Sequence, residues 1–90
     1  MSDIDLNQAE HRYELGRDEE RAIAVFKDED GIRTFNHTVV PPALRGRGIA
    51  SRLIAGALDD TRRAGLRVVP SCPFVARFID ANPAYRDLLA

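Results

Sequence analysis

His37-Thr38-Val39-Val40-Pro41-Pro42-Ala43-Leu44-Arg45-Gly46-Arg47-Gly48-Ile49-Ala50-Ser51 is the stretch that decides the fold. Its first four residues close a strand-prone run that begins at Ile32. Pro41-Pro42 cannot continue a hydrogen-bonded ladder, so the strand stops there. Gly46 and Gly48 let the backbone turn tightly and come close to a ligand. From Ile49 the period changes. Ile49, Ala50, Leu53, Ile54, Ala57, Leu58 and Ala64 recur at helical spacing, with Arg52, Asp59, Asp60, Arg62 and Arg63 off the stripe. A strand, a glycine loop and a helix start make an anion site suited to a pyrophosphate, because the first N–H groups of a helix are unpaired and carry its positive dipole end. Arg45, Arg47 and Arg52 add positive charge around it.

Upstream, residues 1–9 are expected to be a loose end. Arg12-Tyr13-Glu14-Leu15 alternates as a short edge strand would, and residues 21–27 read as a strand apolar on both faces. Asp28-Glu29-Asp30-Gly31 is a turn by composition. In the following strand, simple alternation puts Phe35, His37 and Val39 on one face and Thr34, Asn36, Thr38 and Val40 on the other. Downstream, Gly65 stands where a glycine would end the helix. Leu66-Arg67-Val68-Val69 is a short strand stopped by Pro70. Pro73 suits the first position of a second helix with Cys72 as its N-cap, and Phe74, Val75, Phe78 and Ile79 form that helix's apolar face.

The element order is thus β-β-β-α-β-α. The last strand must enter beside the third and parallel to it, joined by the long helix. The fold class is α/β in the α+β sense: a mostly antiparallel sheet of about four strands with helices packed against it.

Composition agrees with one small domain over residues 1–90. The chain has 90 residues, 30% of them charged and 44% hydrophobic, with a net charge of −1. No apolar run approaches the roughly 20 residues of a membrane helix, so no membrane partner is expected. The acidic start, Met1-Ser2-Asp3-Ile4-Asp5, does not read as a secretory signal. One cysteine excludes an internal disulfide and a cysteine-rich metal site, and a reducing cytoplasm is the expected compartment. Charge is uneven along the chain. Every base after Lys27 is an arginine, the side chain whose planar fork matches phosphate.

Three phosphate motifs compete for the glycine loop. The Gly-Lys-Ser/Thr of a P-loop is absent. A dinucleotide-binding reading of Gly46-Arg47-Gly48 needs further β-α-β units that the chain has no room for. The third pattern, Arg/Gln-x-x-Gly-x-Gly/Ala, is matched by Arg45, Gly48 and Ala50. In this motif, and in Leu66-Arg67-Val68-Val69-Pro70-Ser71-Cys72 after one helix, the chain resembles the GNAT (GCN5-related N-acetyltransferase) superfamily, in a branch of short chains. The resemblance covers residues 12–88. It implies a minimal GNAT-like fold that binds acetyl-CoA (CoA). Val39 and Val40 would run beside the pantetheine arm, and Arg45, Gly46, Arg47, Gly48, Ile49, Ala50 and Ser51 would hold the pyrophosphate. The sheet would splay beyond the third strand, with the thioester near Cys72. In that branch the corresponding cysteine is the candidate catalytic residue.

Cys72 also stands out by itself. A thiol at the carboxyl end of a strand and the amino end of a helix is held toward its thiolate. It can accept an acetyl group, act as an acid toward a leaving thiolate, or simply cap the helix as a small hydrophobe. His37 is the second catalytic candidate, as a base or as a core hydrogen-bonding group. His11 reads as solvated, and Tyr85, Phe74 and Phe78 as packing residues.

The resemblance also implies what is short here. Only Gly16 to Glu20 separates the first two strands, where larger members carry two helices, and their final strand pair has no counterpart. The donor side of a transferase is therefore legible and the acceptor side nearly blank. The favoured function is acetyl-CoA-dependent N-acetyl transfer to an amine acceptor, directly or through Cys72, with no metal; the sequence leaves the oligomeric state open, with a monomer favoured over a dimer. The alternative is a CoA or acyl-CoA-binding module without catalysis. Nucleic-acid binding through Arg45, Arg47, Arg52, Arg62, Arg63 and Arg67 is disfavoured by the acidic first half and the near-zero net charge.

Overall fold

Five strands form one sheet in chain order: β1 (Ile4–Asn7), β2 (Arg12–Arg17), β3 (Glu20–Glu29), β4 (Ile32–Val39) and β5 (Arg67–Pro70). The computed structural model describes residues 4–17, 20–46 and 48–90. β1 to β4 pair antiparallel as a meander. The chain then passes a 3₁₀ turn at Pro42–Leu44 and helix α1 (Ile49–Arg63), and returns as β5 parallel to β4. Helix α2 (Pro73–Ala81) and a 3₁₀ segment at Pro83–Leu88 follow. The expected α+β class is found, with one strand more than expected.

The added strand is β1, so residues 4–7 are not a loose end. Ile4 pairs with Leu15 and Leu6 with Tyr13, which places β2 inside the sheet rather than at its edge. Ile4 seats its side chain over Gly56 of α1. A Cβ at Gly56 would overlap the tip of the Ile4 side chain, so glycine there leaves room for this close approach. Two apolar residues in a polar stretch are a weak strand signal. Contact with a helix fifty residues away supplies the rest.

One face of the sheet is buried. Tyr13, Leu15, Ala22, Ala24, Phe26, Phe35 and Val68 meet Leu53, Ile54, Ala57 and Leu58 of α1 and Val75 and Ile79 of α2 in a single hydrophobic cluster. Ala22 and Ala24 leave the space that α1 occupies, as α1 crosses β3 and β2. Tyr13, Phe26 and Phe35 pack with ring centroids 5.3–6.2 Å apart. On β3 the alternate residues Ile23 and Val25 are only half-buried, on the opposite face.

A polar chain runs through this core. Arg33, with its side chain 5% exposed, grips Asp28 with two hydrogen bonds of 2.7 Å. It donates a third to the Tyr13 hydroxyl, which donates to Asp60 of α1. The guanidinium also lies 4.2 Å from the Phe26 ring centroid. Each nitrogen of the Arg33 guanidinium has an acceptor, the condition for keeping a charge in a core.

The register of β3 against β4 slips by one residue. Val25 pairs with His37, but Phe26 pairs with Phe35, which leaves Asn36 as the extra residue of a β-bulge. Beyond it the alternation inverts. Asn36 and His37 are both exposed, while Thr38 and Val40 turn in with Phe35. The expected shared face of Phe35, His37 and Val39 is thereby corrected, because a one-residue insertion moves every later side chain to the other face.

Candidate functional site

The ladder between β4 and β5 ends at Phe35↔Pro70, with one further bond from the Cys72 N–H to the Phe35 carbonyl at 2.9 Å. β4 runs on to Val39, paired with β3 alone. Its edge is therefore open toward Cys72 and α2. At the end of this edge lies a cleft of about 330 Å³ lined by Val40, Leu44, Arg45, Gly46, Gly48, Ile49, Ala50, Ser51 and Phe74.

Gly46 and Gly48 hold φ of +80° and +68°, a left-handed conformation that costs other residues about 1–2 kcal/mol. Gly48 is the N-cap of α1 and has no side chain to satisfy the first turn. The N–H groups of Ile49, Ala50 and Ser51 thus have no partner among the described residues. No acidic residue stands in that turn. Arg45 pins the loop to the strand end by a 3.1 Å bond from Nε to the Val40 carbonyl. This combination of amides, dipole and cation favours an anion.

Cys72 is 7% exposed and caps α2 from extended backbone. Its Sγ lies 3.4 Å from Thr38 Oγ1. Burial pushes the thiol pKa up, but the Thr38 hydroxyl and the amides of Val75, Phe74 and Thr38 outweigh it and bring the thiol below its usual range. No helix amide makes a fully formed hydrogen bond to the sulfur, so this contribution is one of nearby dipoles rather than a cap.

Of the residues expected to line an acetyl-CoA site, Val40, Arg45, Gly46, Gly48, Ile49, Ala50 and Ser51 all border the one cleft. Val39 does not line it and is exposed, on the opposite face of β4. Arg47 lies outside the described residues. His37 is not brought to Cys72. The bulge turns it to the opposite face, where it is exposed. Tyr85 donates to Asp59 at 3.0 Å and packs on Phe78, away from the thiol. Arg62 and Arg63 are engaged by Asp87 and Asp60. Three site residues escaped the sequence reading: Thr38, Leu44 and Phe74. Phe74 follows Cys72 by two positions and had read as core only. Thr38 could have been found only by knowing of the bulge.

A family model described as GCN5-related N-acetyl-transferase matches residues 12–88. The chain belongs to the GCN5-related N-acetyltransferase family. Protein NATD1 of Bos taurus is 45% identical over 52 residues, covering 58% of this chain and 46% of that protein. Protein NATD1 of Homo sapiens is 40% identical over 52 residues, with 58% and 46% covered. Protein NATD1 of Danio rerio is 28% identical over 81 residues, with 88% and 73% covered. The chain spans about half the length of the first two relatives. The NMR structure of a GCN5-like protein from Staphylococcus aureus superposes over all of this chain and 91% of that one, with a TM-score of 0.76 at 24% identity, and so shares the fold.

GCN5-related N-acetyltransferases generally use acetyl-CoA. In this member of the family the glycine loop and the open edge of β4 meet at one cleft, and Cys72 lies at the helix start two residues before Phe74. A slightly larger cleft, about 390 Å³, lies on the far side of α2 among Pro70, Ala76, Arg77, Ile79, Asp80, Arg86 and Leu89. It touches neither the loop nor the thiol, so volume alone does not mark the site.

Proposed function

We propose that the chain transfers the acetyl group of acetyl-CoA to an amine. The observation that carries this reading is the cleft at the end of β4. There, the glycine loop and the open first turn of α1 face Phe74, two residues from a thiol held below its ordinary pKa. The loop fits a pyrophosphate: a Cβ built at Gly46 or Gly48 meets nothing within 4 Å, so the backbone stands open to a ligand.

In this reading, the amides of Ile49, Ala50 and Ser51 hold pyrophosphate oxygens and Arg45 adds its charge. Val40 and the free edge of β4 lie along the pantetheine arm. Bound acetyl-CoA supplies the thioester carbonyl. The acceptor amine attacks that carbon, the carbon–sulfur bond breaks, and the nitrogen gives up one proton as the CoA sulfur gains one. A backbone N–H near Val40 steadies the developing oxyanion. Cys72, as a thiol, can donate the proton that the leaving sulfur needs.

The lowered thiol pKa favours a second route through acetyl-Cys72. There, the Cys72 thiolate attacks the thioester, CoA leaves as its thiolate, and the amine then takes the acetyl group and releases Cys72. One thioester replaces another, so the first step is nearly balanced in free energy.

The test is a thermal shift with acetyl-CoA, with NADH at matched concentration as the control anion. Ligand at about 100 times its dissociation constant adds roughly 2.7 kcal/mol, a shift of several degrees for a domain this small. An equal shift with NADH, or none with acetyl-CoA, defeats the proposal. Turnover on an amine panel then separates a transferase from a binding module. An initial burst of one acetyl per chain, absent in Cys72→Ala, marks the covalent route.

A further inference from the structure

The cleft of about 390 Å³ beyond α2 is larger than the one at the glycine loop and has no part in the proposed transfer. Its volume falls within the roughly 300–1,000 Å³ of small-molecule sites. It lies between α2, the end of β5 and the C-terminal segment. Pro70, Ala76, Ile79 and Leu89 give it an apolar floor. Its outer wall is already tied in place. The Leu89 N–H donates to the Arg86 carbonyl at 3.1 Å, the Leu89 carbonyl accepts from Arg67 at 3.2 Å, and the Ala90 N–H donates to the Val68 carbonyl at 2.9 Å. The C-terminal segment is thereby held beside β5.

Three charged side chains complete the lining: Arg77, Asp80 and Arg86. Among the described residues the Arg77 guanidinium has no hydrogen bond or ion pair. Arg86 donates through Nη2 to the Asp80 carbonyl at 2.8 Å, a bond that caps the last turn of α2 and fixes the guanidinium at the rim. Its approach to the Asp80 carboxylate is longer, 3.6 Å, between side chains 54% and 87% exposed. Water screens such a pair to little value, so an incoming anion displaces it at small cost. Two guanidiniums against one loosely held carboxylate leave positive charge in excess beside an apolar floor. A planar guanidinium matches a carboxylate with two parallel hydrogen bonds. The cleft of about 310 Å³ on the open face of the sheet has the reverse balance, with Glu29 and Asp30 against Lys27.

We infer that the cleft beyond α2 binds a small monocarboxylate with an apolar body, its head between Arg77 and Arg86 and its body against Ile79 and Leu89. The inference stands whether or not the chain uses acetyl-CoA, because the cleft shares no residue with the glycine loop.

The probe is octanoate, kept below its aggregation concentration, with octanol as its uncharged match. Binding to the full chain is followed through the backbone amide resonances in an NMR titration. Octanoate should move the amides of Ala76, Ile79 and Leu89 and bind about tenfold more tightly than octanol. Arg86→Gln, which can still donate to the Asp80 carbonyl, should lose most of that preference while binding octanol as the wild type does. Arg77→Gln, at a side chain that bonds nothing in the fold, should weaken octanoate alone. Equal wild-type affinity for the two probes, or a preference unchanged in both variants, overturns the carboxylate site. So does an absence of binding, or a response centred on the amides of Gly48 to Ser51, which would place the anion at the glycine loop instead.

Discussion

Cys72 Sγ and Thr38 Oγ1 lie 3.4 Å apart, joining the start of α2 to the end of β4 beyond the point where β4 and β5 part. The contact exists because the bulge at Asn36 turns Thr38 inward. With regular alternation His37 would face the thiol instead. The bulge thus selects a neutral hydroxyl, rather than an imidazole, as the cysteine's neighbour.

Thr38→Val is isosteric and removes that hydroxyl. It should raise the Cys72 pKa, since the hydroxyl leads the groups that lower it. The midpoint of iodoacetamide alkylation against pH should move up, and alkylation at neutral pH should slow. An unmoved midpoint would assign the lowering to the helix amides alone.

Tyr13 sets a stability limit in alkali. Burial, and then its hydrogen bond to Asp60, push its phenol from 10.0 up to about 12. The folded state therefore favours the neutral phenol. This contribution is complete below the unfolded pKa and is lost as pH rises from about 10 through about 12. Denaturation in urea across that range should show the decline. Tyr13→Phe should flatten it, at a cost of about 1–2 kcal/mol at neutral pH from the partners left unmatched.

Glu14 gives the opposite slope in acid. It accepts from Arg12 at 2.7 Å, Arg21 at 3.0 Å and Asn7 at 3.1 Å. Its carboxyl is held below the usual range, by the Arg12 hydrogen bond above all. The two arginine side chains cover it on the open face of the sheet, so solvent screens the pairs. The contribution is complete above the unfolded pKa and is lost as pH falls through the lower folded value. Glu14→Gln should cost roughly 1 kcal/mol at neutral pH and nothing once both states are protonated. A difference that persists in strong acid would refute the ionic origin.

Two glycines should respond differently to alanine. At Gly16, φ is +123° and a Cβ would stand 2.5 Å from the backbone oxygen of Glu20. At Gly46, φ is +80° and the space is open. Gly16→Ala should cost about 2–4 kcal/mol, because a backbone atom cannot move aside as a side-chain tip can. Gly46→Ala should cost roughly 1 kcal/mol, from the left-handed conformation alone. Equal costs in urea unfolding would contradict the distinction.

The amino-acid sequence by itself determined the strand, proline break, glycine loop and helix of residues 32–64, the glycine stop at Gly65, the second helix from Pro73 and the place of Cys72 at its cap. These depend on local rules: proline lacks a donor, glycine tolerates positive φ, and apolar residues repeat with the period of the element that buries them. Tertiary structure alone decided the rest. Ile4 joins the sheet because Gly56 on α1 leaves a hollow for it. Arg33 is held in the core because Asp28 and Tyr13 meet it there. Thr38, and not His37, reaches Cys72 because β3 and β4 pair out of step at Asn36. A bulge is a property of two strands in register. The alternation of one strand, read alone, runs on unbroken and assigns every later side chain to the wrong face.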